Sequence, residues 1–167
     1  MAPHKDKRPS LSADEAARDQ AEALRRIHEI FSSLPFNKVL GLEIASLEAE
    51  HPRIRFDMRP ELVGNVYHGI LHGGVTSTVL DVTGGLVAFM GLVKNLEHIP
   101  VEERMQRFAK VGTIDLRVDY LRPGKGKWFE ATGYTLRTGN KVAVARMELH
   151  NDVGDLIAVG TGAYLVG

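Results

Sequence analysis

The 167-residue sequence contains no cysteine. That excludes a disulfide scaffold, thiolate zinc sites and a cysteine nucleophile, and it leaves the redox compartment open. There is no excess of charge either, since 21 Lys+Arg balance 21 Asp+Glu. A general nucleic-acid binder needs a basic face to neutralise phosphates, so nucleic acid is not an expected partner. The opening MAPHKDKRPSLSADEAARD lacks the apolar core of a signal peptide. The longest nearly uncharged stretch, Leu62 to Val93, is interrupted by His68, His72, Asp81 and seven glycines. A bilayer span of about 20 residues rarely carries such groups, so no membrane span and a cytoplasmic location are expected.

What is present reads as an ordinary globular chain, 44% hydrophobic and 25% charged. Residues 1–11 are expected to form a disordered tail and residues 12–167 a single domain. Ser12 followed by Glu15 is a capping-box signature. It opens an amphipathic helix over Ala13–Ser33, with Ala17, Ala21, Leu24, Ile27, His28 and Phe31 at helical spacing. Pro35 closes that helix. From Val39 apolar and polar residues alternate, first around Leu40–Ile44 and then over Arg53–Arg59, the signature of half-buried strands. A glycine-rich loop then runs to His72. Residues 73–93 return to a helical period, and Pro100-Val101-Glu102-Glu103 is the start of a short helix. Strand-like runs follow at 111–121, 127–137, 141–150 and 156–166, joined by turn sequences. Helix, two strands, long helix and four hairpin-linked strands imply an α+β architecture with a largely antiparallel sheet.

The segment 73–93 carries the chemistry. Val75, Val79, Val82, Leu86, Phe89 and Val93 form one apolar stripe, and little of the circumference is suited to water. Its glycines and valines are poor helix formers, so tertiary packing must hold it, as a curved sheet wrapped around it would. A second stripe, Gly74, Ser77/Thr78, Asp81, Gly84/Gly85 and Ala88, is small except for Asp81. Small residues there permit close approach of a neighbouring backbone, in this chain or a second copy. Asp81 is expected to be buried, which is costly for an unpaired carboxylate and raises its pKa. A carboxylate in a stripe that a substrate can approach suits a general base or nucleophile. His72-Gly73-Gly74 opens the helix, where free N–H groups and the helix dipole favour developing negative charge, an oxyanion hole in outline. His72 itself can also serve by fixing the loop through hydrogen bonds. Gly73 and Asp81 lie about 12 Å apart along the helix axis. One chain's pair therefore cannot grip a single carbonyl group, and the two groups are expected to come from two chains or to bind a ligand lying along the helix.

Competing patterns are weak. His68 and His72 have the spacing of a zinc-protease helix but lack its glutamate, and no Gly-x-Ser-x-Gly elbow exists. No metal site is expected.

With Leu71-His72-Gly73-Gly74-Val75, Asp81 eight residues after Gly73, Tyr120-Leu121-Arg122-Pro123-Gly124 and Gly160-Thr161-Gly162, the chain resembles the hotdog-fold acyl-CoA thioesterases of the PaaI type, and among them the YigI-like branch. The resemblance extends over about residues 36–166. It implies a six-stranded antiparallel sheet wrapped around the 73–93 helix, in homodimers or homotetramers whose sheets join. It implies hydrolysis of acyl-CoA, with coenzyme A as part of the substrate and no separate cofactor. Gly73 would polarise the thioester carbonyl, Asp81 would activate water or attack directly, Asn65 would help hold the thioester, and Thr113 would orient the water. Strand parity groups Thr113 with Asp115, Arg117 and Asp119, so it is expected to face away from its own core and to complete a site across a dimer. Arg117, Arg122, Lys125, Lys127, Arg137, Gly139 and Lys141, near strand ends and turns, are candidates for the coenzyme A phosphates. Two other functions remain open: a non-catalytic acyl-CoA-binding or regulatory module on the same fold, and a hotdog dehydratase or hydratase, for which the helix lacks a histidine.

Overall fold

Ser12 caps the first helix as its spacing predicts: its hydroxyl accepts the Glu15 N–H, and Glu15 Oε2 accepts the Ser12 N–H at 2.8 Å. A computed structural model describes residues 12–48, 51–96 and 99–167; the tail expected over residues 1–11 lies outside them. Helix α1 runs Ala13–Ser33 and buries Ala23, Ile27 and Phe31. Ala17, Ala21 and His28, expected on that face, are exposed. Alanine favours a helix whether or not it is buried, so its spacing was a poor guide to the packed face. Pro35 ends α1 but also begins a second helix, α2 (Pro35–Leu40), at whose first turn a missing N–H costs nothing. Val39 and Leu40 are therefore helical rather than strand. Gly41 closes α2 with φ of 68°, a left-handed conformation that suits glycine.

The strands are β1 (Glu43–Ser46), β2 (Arg53–Asp57), β3 (Val63–Asn65), β4 (Ile70–Leu71), β5 (Gly112–Tyr120), β6 (Trp128–Thr138), β7 (Val142–Asn151) and β8 (Leu156–Leu165). Between them lie helix α3 (Gly73–Asn95) and helix α4 (Val101–Gln106). The loop expected before His72 contains a 3₁₀ turn, Pro60–Leu62, and the small β3–β4 hairpin. The main sheet has six strands in the order β1-β2-β6-β7-β8-β5, every neighbouring pair antiparallel.

One face of this sheet holds α3. Across its middle most inward residues are small, Ala131 and Gly133 on β6, Ala145 on β7, Gly160 and Gly162 on β8, and the one long side chain among them, Met147, lies over Gly133 and Gly160. A side chain at Gly133 would meet Val87, and one at Gly160 would meet Leu80, so these positions form the trough in which α3 lies. Larger residues close the trough on the far side, with Phe56 stacked on Phe129 at 5.4 Å. Val79, Leu80 and Phe89 are completely buried there. Truncating such a residue to alanine costs about 2–5 kcal/mol. Helix α3 is long and apolar enough to cross a membrane, yet most of it is buried inside the fold, as befits a core helix. At one edge of the sheet α1 packs against β1; at the other, β5 has no strand beside it among the described residues.

Candidate active site

Strand β5 runs alongside α3 in the opposite sense, and two side-chain bonds tie them together. The Tyr120 hydroxyl donates to the Gly73 carbonyl at 3.0 Å, near the start of α3. Eight residues on, Thr113 Oγ1 donates to Asp81 Oδ1 at 2.9 Å. Asp81 is only half-buried, not enclosed as expected, because the first part of the small-residue stripe lies on the side of α3 that the sheet leaves open, while Gly84 and Ala88 of the same stripe are buried. Gly73, Gly74, Ser77, Thr78, Asp81 and Gly85 follow one another along this open strip.

Thr113 faces Asp81 of its own chain, which strand parity did not predict. A β-bulge at Ile114 is the cause: Thr113 pairs with Tyr164, but Asp115 pairs with Ala163, so one extra residue stands on β5. The bulge reverses parity, placing Thr113 on the inner face with Tyr164 while Asp115, Arg117 and Asp119 stay outside.

Tyr164 is a site residue that the spacing did not reveal. Its hydroxyl donates to the Asp81 carbonyl at 3.3 Å, and its ring fills the space over Gly84. Burial, and secondarily the charge of Asp81, pushes the Tyr164 phenol well above its ordinary pKa, so it remains a neutral donor. The signal available in the sequence was Gly84: a glycine inside a packed helix marks a close approach.

His72 is the N-cap of α3, and its Nδ1 accepts the Gly74 N–H at 2.8 Å. The ring therefore holds the helix start, the loop-fixing role open to it. Among the described residues the exposed Gly73 N–H has no hydrogen-bond partner. Asn65 lies at the end of β3; its Oδ1 accepts the Tyr67 N–H at 3.0 Å and shapes the hairpin turn.

The candidate cations divide between the two ends of the sheet. Arg122 donates to the Leu156 carbonyl, and Lys125 sits in the β5–β6 turn, where its carbonyl accepts Asn151. Arg137, Gly139 and Lys141 surround the β6–β7 turn at the opposite end, where Gly139 N–H bonds the Val142 carbonyl at 2.9 Å. Arg117, on the outer face of β5, pairs with Asp119 at 3.0 Å. The chain does not gather them into one cluster.

Asp81 and Thr113 open onto a cavity of about 160 Å³ that is otherwise walled mainly by apolar side chains of α1, α3 and the 3₁₀ turn Arg107–Lys110. A carboxylate fixed by a hydroxyl at the mouth of an apolar slot can activate water beside a held acyl group, and the open glycine N–H at the helix start, about 12 Å away along α3, can stabilise an oxyanion.

A six-stranded antiparallel sheet folded around one long helix is the hotdog fold, the fold of the thioesterase superfamily. The family model of the thioesterase superfamily matches residues 68–158. The medium/long-chain acyl-CoA thioesterase YigI of Escherichia coli is 48% identical over 147 residues, covering 87% of this chain and 95% of that protein. A crystal structure of a Shewanella oneidensis protein related to the thioesterase superfamily is 53% identical, has a TM-score of 0.85 and covers 89% of this chain and 97% of that one. At 16% identity and a TM-score of 0.66, the Escherichia coli PaaI protein shares the fold over 89% of this chain and 96% of its own. The chain belongs to the thioesterase superfamily.

Proposed function

We propose that residues 12–167 act as one domain that hydrolyses acyl-CoA thioesters to free acid and coenzyme A, in the cytoplasm, as a homodimer or homotetramer. The observation that carries this reading is Asp81, held by Thr113 at the mouth of an apolar slot. As general base, Asp81 takes a proton from water whose oxygen attacks the thioester carbonyl carbon. The C–S bond then breaks, and the thiolate of coenzyme A leaves and is protonated. As nucleophile, Asp81 would instead form an anhydride that water opens. The Gly73 N–H would bind the tetrahedral oxyanion, a donor whose loss typically costs about 3–4 kcal/mol.

The separation along α3, about 12 Å by helix rise, favours a site built from two copies. The free edge of β5 supports it: if two β5 strands pair antiparallel, the Thr113 end of one lies beside the Tyr120 end of the other. Asp81 of one copy then approaches Gly73 of the second, and Arg122 and Lys125 approach the end bearing Arg137 and Lys141. Those cations would meet the coenzyme A phosphates. Asn65 would steady the thioester from the hairpin.

The test is thiol release from short, medium, long and aryl acyl-CoAs by wild type and Asp81→Asn. Turnover by the wild type that is lost in a folded Asp81→Asn variant supports the mechanism, and retained wild-type kcat in that variant overturns it. Binding of acyl-CoA without thiol release by the wild type would identify a binding module instead.

A further inference from the structure

The cavity at Asp81 is one of two along the same groove. On α3 its wall advances through Asp81, Gly85 and Phe89, while on the other side it runs back from Leu34, which caps α1, through Phe31 to Ile27. A second cavity, of about 190 Å³, continues where the first stops: α3 contributes Met90, Val93 and Lys94, and α1 contributes Ile27, Leu24 and Ala23. From the first cavity to the second the lining residues descend along α1 as they ascend along α3, so the two sets are successive segments of one α1–α3 groove. Among the described residues Ile27 is the one that lines both cavities, and it is almost fully buried. Beyond the second cavity Arg104, buried and paired with Asp19, closes the groove.

We propose that the acyl chain runs from Asp81 along the α1–α3 groove, and that the Ile27 side chain is the partition that meters its length. This inference rests on the thioesterase reading above. Distances along α3 set the scale. Asp81 to Phe89 spans eight residues, about 12 Å, and Asp81 to Lys94 spans thirteen, about 20 Å. An extended alkyl chain advances about 1.25 Å per carbon, from a bond of about 1.52 Å and an angle near 111°. The proximal cavity therefore takes a chain of about ten carbons, and both together take about sixteen. Chains of medium length end against Ile27. Longer chains must displace it to reach the space lined by Ala23 and Val93. Helix α1, outside the sheet-and-helix core, is thus the specificity wall of the site.

The experiment measures kcat/KM over a series of saturated acyl-CoAs from C6 to C18 for the wild type, Ile27→Ala and Ala23→Leu. Removing the partition should raise the C16-to-C10 ratio by at least about fourfold, the discrimination that one buried methylene supplies. Filling the distal space with Ala23→Leu should lower the same ratio by a similar factor, and it keeps the test available if Ile27→Ala does not fold. An active wild type whose ratio is unmoved by these variants overturns the partition alone. A wild type that hydrolyses no member of the series overturns the partition, and one that also releases no thiol from short or aryl acyl-CoAs overturns the thioesterase reading with it.

Discussion

Gly84 and Gly85 are neighbours in the middle of α3 with the same intrinsic helix preference, yet the structure assigns opposite signs to their replacement by alanine. In a helix interior, Gly→Ala alone gains about 1 kcal/mol. At Gly85 the added methyl meets only Tyr164 Cε1 at 4.0 Å, an ordinary contact, so Gly85→Ala should show that gain. At Gly84 the methyl would overlap the Tyr164 hydroxyl and lie 2.5 Å from Cζ and 2.8 Å from Cε2. Tyr164 is 1% exposed, so its ring has nowhere to swing. Overpacking of this kind costs about 1–3 kcal/mol, and overlap with three ring atoms places it toward the upper end. Gly84→Ala should therefore be destabilised by about 1–2 kcal/mol net. At about 2–4 °C per kcal/mol for a chain of this size, the two Tm values should separate by about 4–12 °C, with wild type between them. Thermal unfolding followed by circular dichroism at one protein concentration reads this directly. Because the hydroxyl makes the worst overlap, Tyr164→Phe should recover part of the Gly84→Ala loss in the double variant. Equal shifts for the two single variants would refute the reasoning, since propensity without packing would then account for both.

Thr113→Val removes the 2.9 Å bond to Asp81 while keeping the shape of the side chain. A hydrogen bond to a charged group contributes about 1.5–3 kcal/mol, so kcat/KM should fall about 10- to 100-fold while Thr113→Ser retains most activity; a loss under twofold would remove Thr113 from the site. On α1, bonds from Arg25 and then Arg26 lower the Glu22 pKa from 4.5 to about 2. A depressed folded-state pKa means that the Glu22 contribution to α1 is present above pH 4.5 and is lost as pH falls toward 2. An NMR titration of the Glu22 carboxyl should have its midpoint near 2, moving upward with added salt, and a midpoint of 4.5 would show that these exposed pairs do not form in solution.

Both long helices were legible because each carries a local signal that nothing else in the chain contradicts. Ser12 and Glu15 satisfy one another's backbone groups, and the apolar period of 73–93 persists over five turns. Pro35 was ambiguous in principle, since the same ring that stops one helix is well placed at the first turn of another. The β3–β4 hairpin is too short to show a two-residue period. Asp81 was legible as an exception in its stripe, but its degree of burial was not. Small residues announce that something approaches, and only the fold shows that Tyr164 approaches Gly84 from within the chain while Asp81 stays on the open strip.

Ile114 shows most clearly why the site could not be assembled by counting. Side-chain direction along a strand has a period of two, so a single extra residue reverses every assignment on one side of it. Counting from Leu116 and Val118 put Thr113 outside, where only a second copy could have used it. The bulge brings it onto Asp81 of the same chain, and the exposed Ile114 is the residue displaced. The case for a second copy then rests on the Gly73–Asp81 separation alone, no longer on Thr113. The Thr113–Asp81 half of the site is complete in one chain, whereas the Gly73 N–H lies about 12 Å away along the same rigid helix and cannot be brought closer by any side-chain movement. The free β5 edge runs between these two groups. A second copy docked along that edge would therefore complete the site by adding an oxyanion donor to a carboxylate already in position.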